Sequence, residues 1–392
     1  MVRDPSQFEA VLKARDNRRA TSRCCEPTPD HVMATFPAQP AQPVNDRSPN
    51  LASDPIQGFS PAGQLLSLIS GYWVTQSIYP AAELGLADLL GRKGRAVEDL
   101  AQLSHTNPDA LYRLLRALAS VGIFTETQPR RFALTPMAVL LRDDTPGNLR
   151  AFSRFQGDAW HWGCWGDIVA SVRSGQPATL SRYQSPHCFD YLAKHPVSAQ
   201  VFDAAMAGYA SQAHAAILDA VDFGDARLIV DVGGGQGRLL ATILAAWPMA
   251  RAIVFDQAAV VVQARAVLEE FGVQSRCTIQ CGDFFEAVPR DGDVYLLSAV
   301  LHDWSDDDAV RILRVVRAAM SPGARVLIVE NIIPSGNDAH PGKLIDLEML
   351  LVAGGRERTE SQFRVLLASA GLTLQGVIPT AMSVAIIEAF AA

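Results

Sequence analysis

From residue 228 onward, short β-branched apolar runs alternate with stretches whose apolar residues recur every three or four positions. The runs are Leu228-Ile-Val, Ala252-Ile-Val-Phe, Val294-Tyr-Leu-Leu and Val326-Leu-Ile-Val. Continuous apolar runs suit strands buried on both faces, and the 3.6-residue period suits helices packed over them. Segments near 237–247, 258–271 and 307–319 carry that helical period. Alternating strands and helices predict a parallel sheet covered on both faces, with any ligand beyond the carboxyl ends of the strands.

The N-terminal half reads differently. Residues 62 to about 91 are an almost wholly apolar helical stretch broken once, at Pro80. A helix apolar all round has to be covered, which predicts a dimer interface. A short helix follows in Val97-Glu-Asp-Leu-Ala-Gln-Leu. Asn107 then caps a second helix that has Pro108 in its first position. Leu111, Leu114, Leu115 and Leu118 share one face of that helix and leave Arg113 and Arg116 on the other. Gly122-Ile-Phe-Thr-Glu-Thr and Arg131-Phe-Ala-Leu-Thr read as two strands around a turn, completing a winged-helix order. Residues 148–222 are helical by pattern and end in a long helix from about 198 to 221. Residues 1–57, rich in Pro, Ala, Asp and Arg, show neither period and read as a disordered leader, within which Met33 is a second possible start.

Composition narrows the function classes. With 49% hydrophobic and 19% charged residues among 392, the chain is a soluble globular protein with ample core. A net charge of −7 gives no general pull toward phosphate backbones. Residues 92–150 hold nine basic and six acidic side chains, a net of 9 − 6 = +3. That is a weak footprint for a winged helix that reads DNA, so a transcription regulator is only a rival reading. Six cysteines without a CxxC pair suggest reduced thiols in a cytoplasmic protein and no metal site. The longest uncharged run, 55–82, is interrupted by Gln64, Ser67, Ser70, Gly71 and Pro80, so no membrane span is expected.

Four strand ends carry chemistry. The first runs into Asp231-Val-Gly233-Gly-Gly235-Gln-Gly237, where glycines allow a tight turn to bring backbone against a ligand at a helix start. The second ends in Asp256 and Gln257, with Asp256 21 residues past Gly235 (256 − 235), at the distance where an acidic side chain accepts ribose hydroxyls. The third leads into Gly282-Asp283-Phe284, a carboxylate suited to an adenine amino group beside a ring suited to the purine. Together they point to an adenosine-containing ligand. The fourth strand leads into VLHDWSDDD at 300–308, which sets a histidine, an aspartate and a tryptophan at a strand end.

In this order, DVGGGQG, FDQ, GDFF, LHDWSDDD and VLIVENIIP resemble the class I S-adenosylmethionine-dependent O-methyltransferases of the plant caffeate and bacterial antibiotic-tailoring type, over about residues 60–390. The resemblance implies an α/β fold class, with a Rossmann-like methyltransferase domain behind an N-terminal all-helical winged-helix dimerisation domain. The implied segments are 1–57 leader, 58–147 winged-helix dimerisation domain, 148–222 helical linker and substrate-pocket segment, and 223–392 cofactor-binding catalytic domain. The implied cofactor is S-adenosylmethionine, expected to be bound by Asp231, Gly233, Gly235, Gly237, Asp256, Gln257, Gly282, Asp283 and Phe284. Trp304 neighbours the adenine, and Ser298 stands where plant members carry a lysine. By the same resemblance His302 is expected to be the general base, a role that an imidazole with a pKa of about 6.5 suits, being free to take a phenol's proton.

Glu330 and Glu357 are the carboxylates that flank the base, with Glu330 28 residues after His302 (330 − 302) and placed to hold one imidazole nitrogen. Met206 and Met349 match positions that sandwich an aromatic acceptor, and Asp303 and Asp346 match positions that line its pocket. Trp160 and Trp162 are expected to line or cover that pocket, and His161 reads as a buried structural histidine. The implied partners are an aromatic small molecule and a second copy of the chain, with no nucleic acid, membrane or metal. Diverged relatives that bind the same cofactor but hydroxylate or decarboxylate remain an alternative.

Overall fold

A computed structural model describes residues 60–392; the leader and Met33 lie outside the described residues. The described residues fall into two units, 60–70 and 71–392. In the first, the helix Pro61–Ile69 starts at Ser60, whose side chain accepts a hydrogen bond from the Gly63 N–H. Its Leu65, Leu66, Leu68 and Ile69 are all more than half exposed.

The second unit begins with the helix Tyr72–Glu83, which runs through Pro80. The break in the apolar stretch therefore falls at Ser70–Gly71, not at Pro80. The Ser70 hydroxyl donates to the Leu66 and Ser67 carbonyls there, competing with helix propagation. Asn107 caps its helix as expected, accepting from Asp109 N and Ala110 N at 3.0 Å each. The helix Pro108–Ser120 buries Leu111, Leu115 and Leu118, each contributing roughly 1.5–3 kcal/mol. Strands β1 (Arg95–Ala96), β2 (Phe124–Gln128) and β3 (Arg131–Leu134) form a small antiparallel sheet in the order β1-β3-β2. This part is thus helices plus a three-stranded sheet rather than all-helical, with one strand more than the expected hairpin.

The main sheet holds β4 (Leu228–Val232), β5 (Arg251–Asp256), β6 (Cys277–Cys281), β7 (Val294–Ser298), β8 (Arg325–Asn331), β9 (Leu372–Pro379) and β10 (Val384–Ala391), in the order β6-β5-β4-β7-β8-β10-β9. Five strands are parallel, but β10 runs antiparallel to both β8 and β9, so the sheet is mixed rather than wholly parallel. Side chains alternate between two cores. Ile229, Leu296, Leu327 and Val329 face one layer, which includes residues of the helices Arg238–Ala246 and Ala264–Glu270. Val230, Val232, Tyr295, Leu297, Val326 and Ile328 face the other, with the helices Asp306–Ala319 and Glu360–Ser369. From β4 the chain winds outward one way through β5 and β6 and the other way through β7 and β8. The crevice between the ends of β4 and β7 is the switch point at which such sheets bind ligands.

A separate cluster gathers Phe155, Trp160, Ala205 and Met349, with Phe152, Phe202 and Met206 packed against it. It draws on the helices Arg150–Gly157, Ala159–Gly166, Pro196–Ala220 and Gly342–Val352. Among the described residues no helix is long and apolar enough to cross a membrane.

Candidate active site

The turn after β4 is built from left-handed glycines: Gly233, Gly235 and Gly237 have φ of 73°, 59° and 71°. The Gly235 N–H donates to Asp256 Oδ2 at 2.9 Å, and the Gln257 N–H donates to Asp256 Oδ1 at 2.7 Å. A Cβ built on Gly235 would meet nothing within 4 Å, so this face of the loop opens onto free space. Asp231 lies beneath, 2% exposed, with Oδ1 unpaired. Burial and then the nearby Asp256 carboxylate push the Asp231 pKa up to about 7. At the end of β6, Asp283 Oδ1 accepts from the Phe285 N–H at 2.8 Å, so one of its oxygens serves its own loop. Phe284 and Phe285 set their edges to Trp304 at 5.9 and 4.7 Å, and His187 stacks on Trp304 at 4.9 Å. An open glycine cradle, a carboxylate at the next strand end and an aromatic wall fit an adenosine-bearing cofactor.

Ser298 closes β7. Ala299 follows in the left-handed region at φ 53°, an uncommon conformation for a residue with a Cβ. That kink turns the chain into the short 3-10 turn Leu301–Asp303 that carries His302. The His302 ring is held at one edge: its Nδ1 is 2.9 Å from Glu357 Oε1, whose side chain is wholly buried. Nδ1 is thus the nitrogen that donates to Glu357, and Nε2 is the nitrogen left to exchange a proton with an acceptor. Asp303 Oδ1 lies 3.8 Å from Nε2, at ion-pair distance.

Glu330 was expected to hold the imidazole, and it does not. Its Oε1 instead accepts the Leu301 and His302 backbone N–H groups at 2.6 and 3.1 Å, because the kink at Ala299 leaves those donors facing β8. Burial raises the Glu330 pKa to about 7. For His302, burial alone lowers the pKa, but Asp303, Glu357 and Glu330 together outweigh it and lift the value to about 10. The expectation of an unperturbed base near 6.5 is therefore revised: alone in its site, this imidazole favours the charged form at neutral pH.

The remaining expected residues divide. Asp346 does not simply line a pocket, since its Oδ1 accepts the Glu357 N–H at 2.8 Å and fixes the residue that fixes His302. Met206 and Met349 join the same apolar cluster, Met349 9% exposed. Trp160 is 2% exposed and stacks on Tyr191 at 5.1 Å, whereas Trp162 is 39% exposed and meets Tyr72 at 6.2 Å, a surface pair. His161 is fully buried with Nε2 2.5 Å from Glu348 Oε1, and Trp165 donates to Glu348 Oε2 at 2.6 Å.

Several participants were not foreseen. Asn331 Nδ2 donates to Glu357 Oε1 at 3.2 Å, sharing the oxygen that faces His302. Arg358, 1% exposed, donates to the Leu301 and Trp304 carbonyls. Gly355 packs so closely that a Cβ would overlap the His302 carbonyl oxygen. Both Asn331 and Arg358 directly follow an expected glutamate, a clue that was present in the sequence. His187, by contrast, lies 115 residues upstream of His302 (302 − 187) with no such signal.

Comparison with known proteins decides the family. A family model described as the O-methyltransferase domain matches residues 165–373, and one described as the O-methyltransferase dimerisation domain matches 66–144. This chain belongs to the O-methyltransferase family. Among similar proteins of this family is the phenazine O-methyltransferase PhzM of Lysobacter antibioticus, 44% identical over 325 residues, which are 83% of this chain and 95% of that protein. The crystal structure of LaPhzM superposes with a TM-score of 0.82 at 43% identity, covering 85% of this chain and all of that one. The O-methyltransferase NcsB1 from neocarzinostatin biosynthesis, solved with S-adenosylmethionine and 2-hydroxy-5-methyl naphthoic acid, gives a TM-score of 0.69 at 31% identity, covering 81% of this chain and 96% of that one.

Proposed function

We propose that this O-methyltransferase moves a methyl group from S-adenosylmethionine to a phenolic or heteroaromatic hydroxyl of a small secondary metabolite, with His302 as general base. One observation carries the reading. An imidazole pinned through Nδ1 to a buried carboxylate leaves Nε2 to exchange the proton, on the strand-end turn whose Val300 packs against Gly233. The relatives support the acceptor class, since their names specify a phenazine and a hydroxynaphthoate.

In this reading Gly235 keeps the cradle open while Gly233 and Gly237 let the loop pack against Val300 and Val254, Asp256 and Gln257 face the ribose side, and Trp304 with Phe284 walls the adenine. Bound there, S-adenosylmethionine supplies an electrophilic methyl group on a sulfonium. His302 Nε2 takes the acceptor's hydroxyl proton, and Glu357, Asp303 and Glu330 stabilise the imidazolium that results. Because the same carboxylates raise the basicity of His302 toward that of a phenol, about 10, the proton transfer is close to even in free energy. Positioned base catalysis is typically worth about 10²- to 10⁴-fold, and alignment of the reactants supplies the rest. Met206 and Met349 offer soft apolar contacts to a flat ring.

Homodimerisation is part of the proposal. It is supported by the dimerisation-domain match and by the exposed Tyr72, Trp73 and Val74 of the helix Tyr72–Glu83. Sedimentation of the full chain at a dimer mass supports it, and a monomer at micromolar concentration rejects it. The catalytic reading is tested by incubating hydroxyphenazines, hydroxynaphthoates and simpler phenols with methyl-deuterated cofactor and reading the products by mass spectrometry. A product three deuteriums heavier, labelled on oxygen, is expected; turnover without methyl loss from the cofactor rejects it.

A further inference from the structure

The turn that carries His302 is gripped by two buried side chains, a carboxyl group on its N–H groups and a guanidinium on its carbonyls. Glu330 takes its leading N–H groups, at Leu301 and His302. Arg358 takes its carbonyls, with Nη1 2.8 Å from Leu301 O and Nη2 2.9 Å from Trp304 O. The third donor, Nε, reaches Asp306 Oδ1 at 2.9 Å, and the Asp306 side chain is 54% exposed. Between them, the Arg356 N–H donates to His302 O at 2.8 Å, and Gly355 lies flat against the same carbonyl.

We propose that Arg358 is a positioning residue for methyl transfer: its guanidinium fixes the distance between the base on His302 and the cofactor wall at Trp304. The inference rests on the function proposed above and extends it to a residue that bonds neither the imidazole nor the glycine loop. Burying a guanidinium is costly, several kcal/mol before its bonds are counted, so covering a turn is poor reason to place one there. A planar fork that reaches both ends of the turn at once does what a point charge on a flexible stem cannot. Misplacing a reacting group by about 1 Å costs on the order of 100-fold, which makes the spacing of this turn worth defending.

The test uses Arg358→Lys and Arg358→Ala in the full chain, with the phenol that the wild type methylates. For R358K the expected result is a kcat about 10- to 100-fold lower. The S-adenosylmethionine dissociation constant should stay within about threefold, and the pH profile should be scaled down but not shifted, since every carboxylate around His302 remains. In R358A, added guanidinium should restore part of kcat. A kcat for R358K within about threefold of wild type overturns the proposal. So does loss of cofactor binding together with early melting in both variants, which would make Arg358 a residue of the fold. A wild type that methylates no phenol at all instead sinks the underlying function.

Discussion

Replacing Glu357 by glutamine keeps an oxygen within reach of His302 Nδ1 and removes a wholly buried negative charge 2.9 Å from the ring. An opposite charge at that range typically moves a pKa by about 1–3 units, or about 1.4–4 kcal/mol of preference for the imidazolium. Three carboxylates raise the His302 pKa to about 10, so the acid limb of kcat/KM for the wild type lies in the alkaline range. Activity then climbs with pH well beyond neutrality. In E357Q the limb should move about 1–3 units toward acid. The plateau should also fall, roughly 3- to 30-fold if about half of the lost basicity is felt in the transition state. The ratio of wild type to variant is therefore largest above pH 9 and shrinks toward neutral. The assay is the initial rate of labelled-methyl transfer to one phenol from pH 6 to 10.5, with the acceptor's own ionisation cancelling between the two enzymes. A constant ratio across that range, with the limb moved by less than about 0.3 unit, would refute the electrostatic argument.

Two further outcomes follow from the cofactor cradle. Gly235→Val forces a β-branched residue to φ 59° and fills the open face of the loop. Calorimetry should detect no S-adenosylmethionine binding, whereas unchanged affinity would remove that loop from the site. Asp231 keeps its proton when folded up to about pH 7, while the unfolded carboxyl loses it near 3.8. The folded state therefore binds more protons across that window, and stability falls as pH rises through it. The Asp231→Asn variant should show a melting temperature that declines less between pH 4 and 7; a decline as steep as in the wild type would show that Asp231 is not its source.

Much of the fold could be read from local patterns, because β4, β5, β7 and β8 are buried on both faces and their helices each have one apolar face. The antiparallel pair β9 and β10 was harder. Leu372-Thr-Leu-Gln-Gly alternates apolar and polar residues at the edge of the sheet, and direction is decided by pairing with β8 rather than by any local signal. At the site, glycines, Asp256 and His302 stood out because turns and strand ends restrict residue type. The partner of the imidazole did not. Its place at a strand end favoured Glu330 as the partner of the ring, but the kink at Ala299 sends Glu330 to the backbone and leaves Glu357 on the imidazole. The raised basicity of His302 was equally out of reach, since it comes from three carboxylates of separate segments converging on one ring.

The central claim is that His302 does the proton transfer while other residues hold the cofactor. It is tested most directly by His302→Ala, comparing single-turnover methyl transfer with S-adenosylmethionine affinity in the same preparation. The account predicts a chemical step slowed by about 10²- to 10⁴-fold, with a dissociation constant within about threefold of wild type. Methyl transfer at the wild-type rate, or a variant that no longer binds the cofactor, would contradict it.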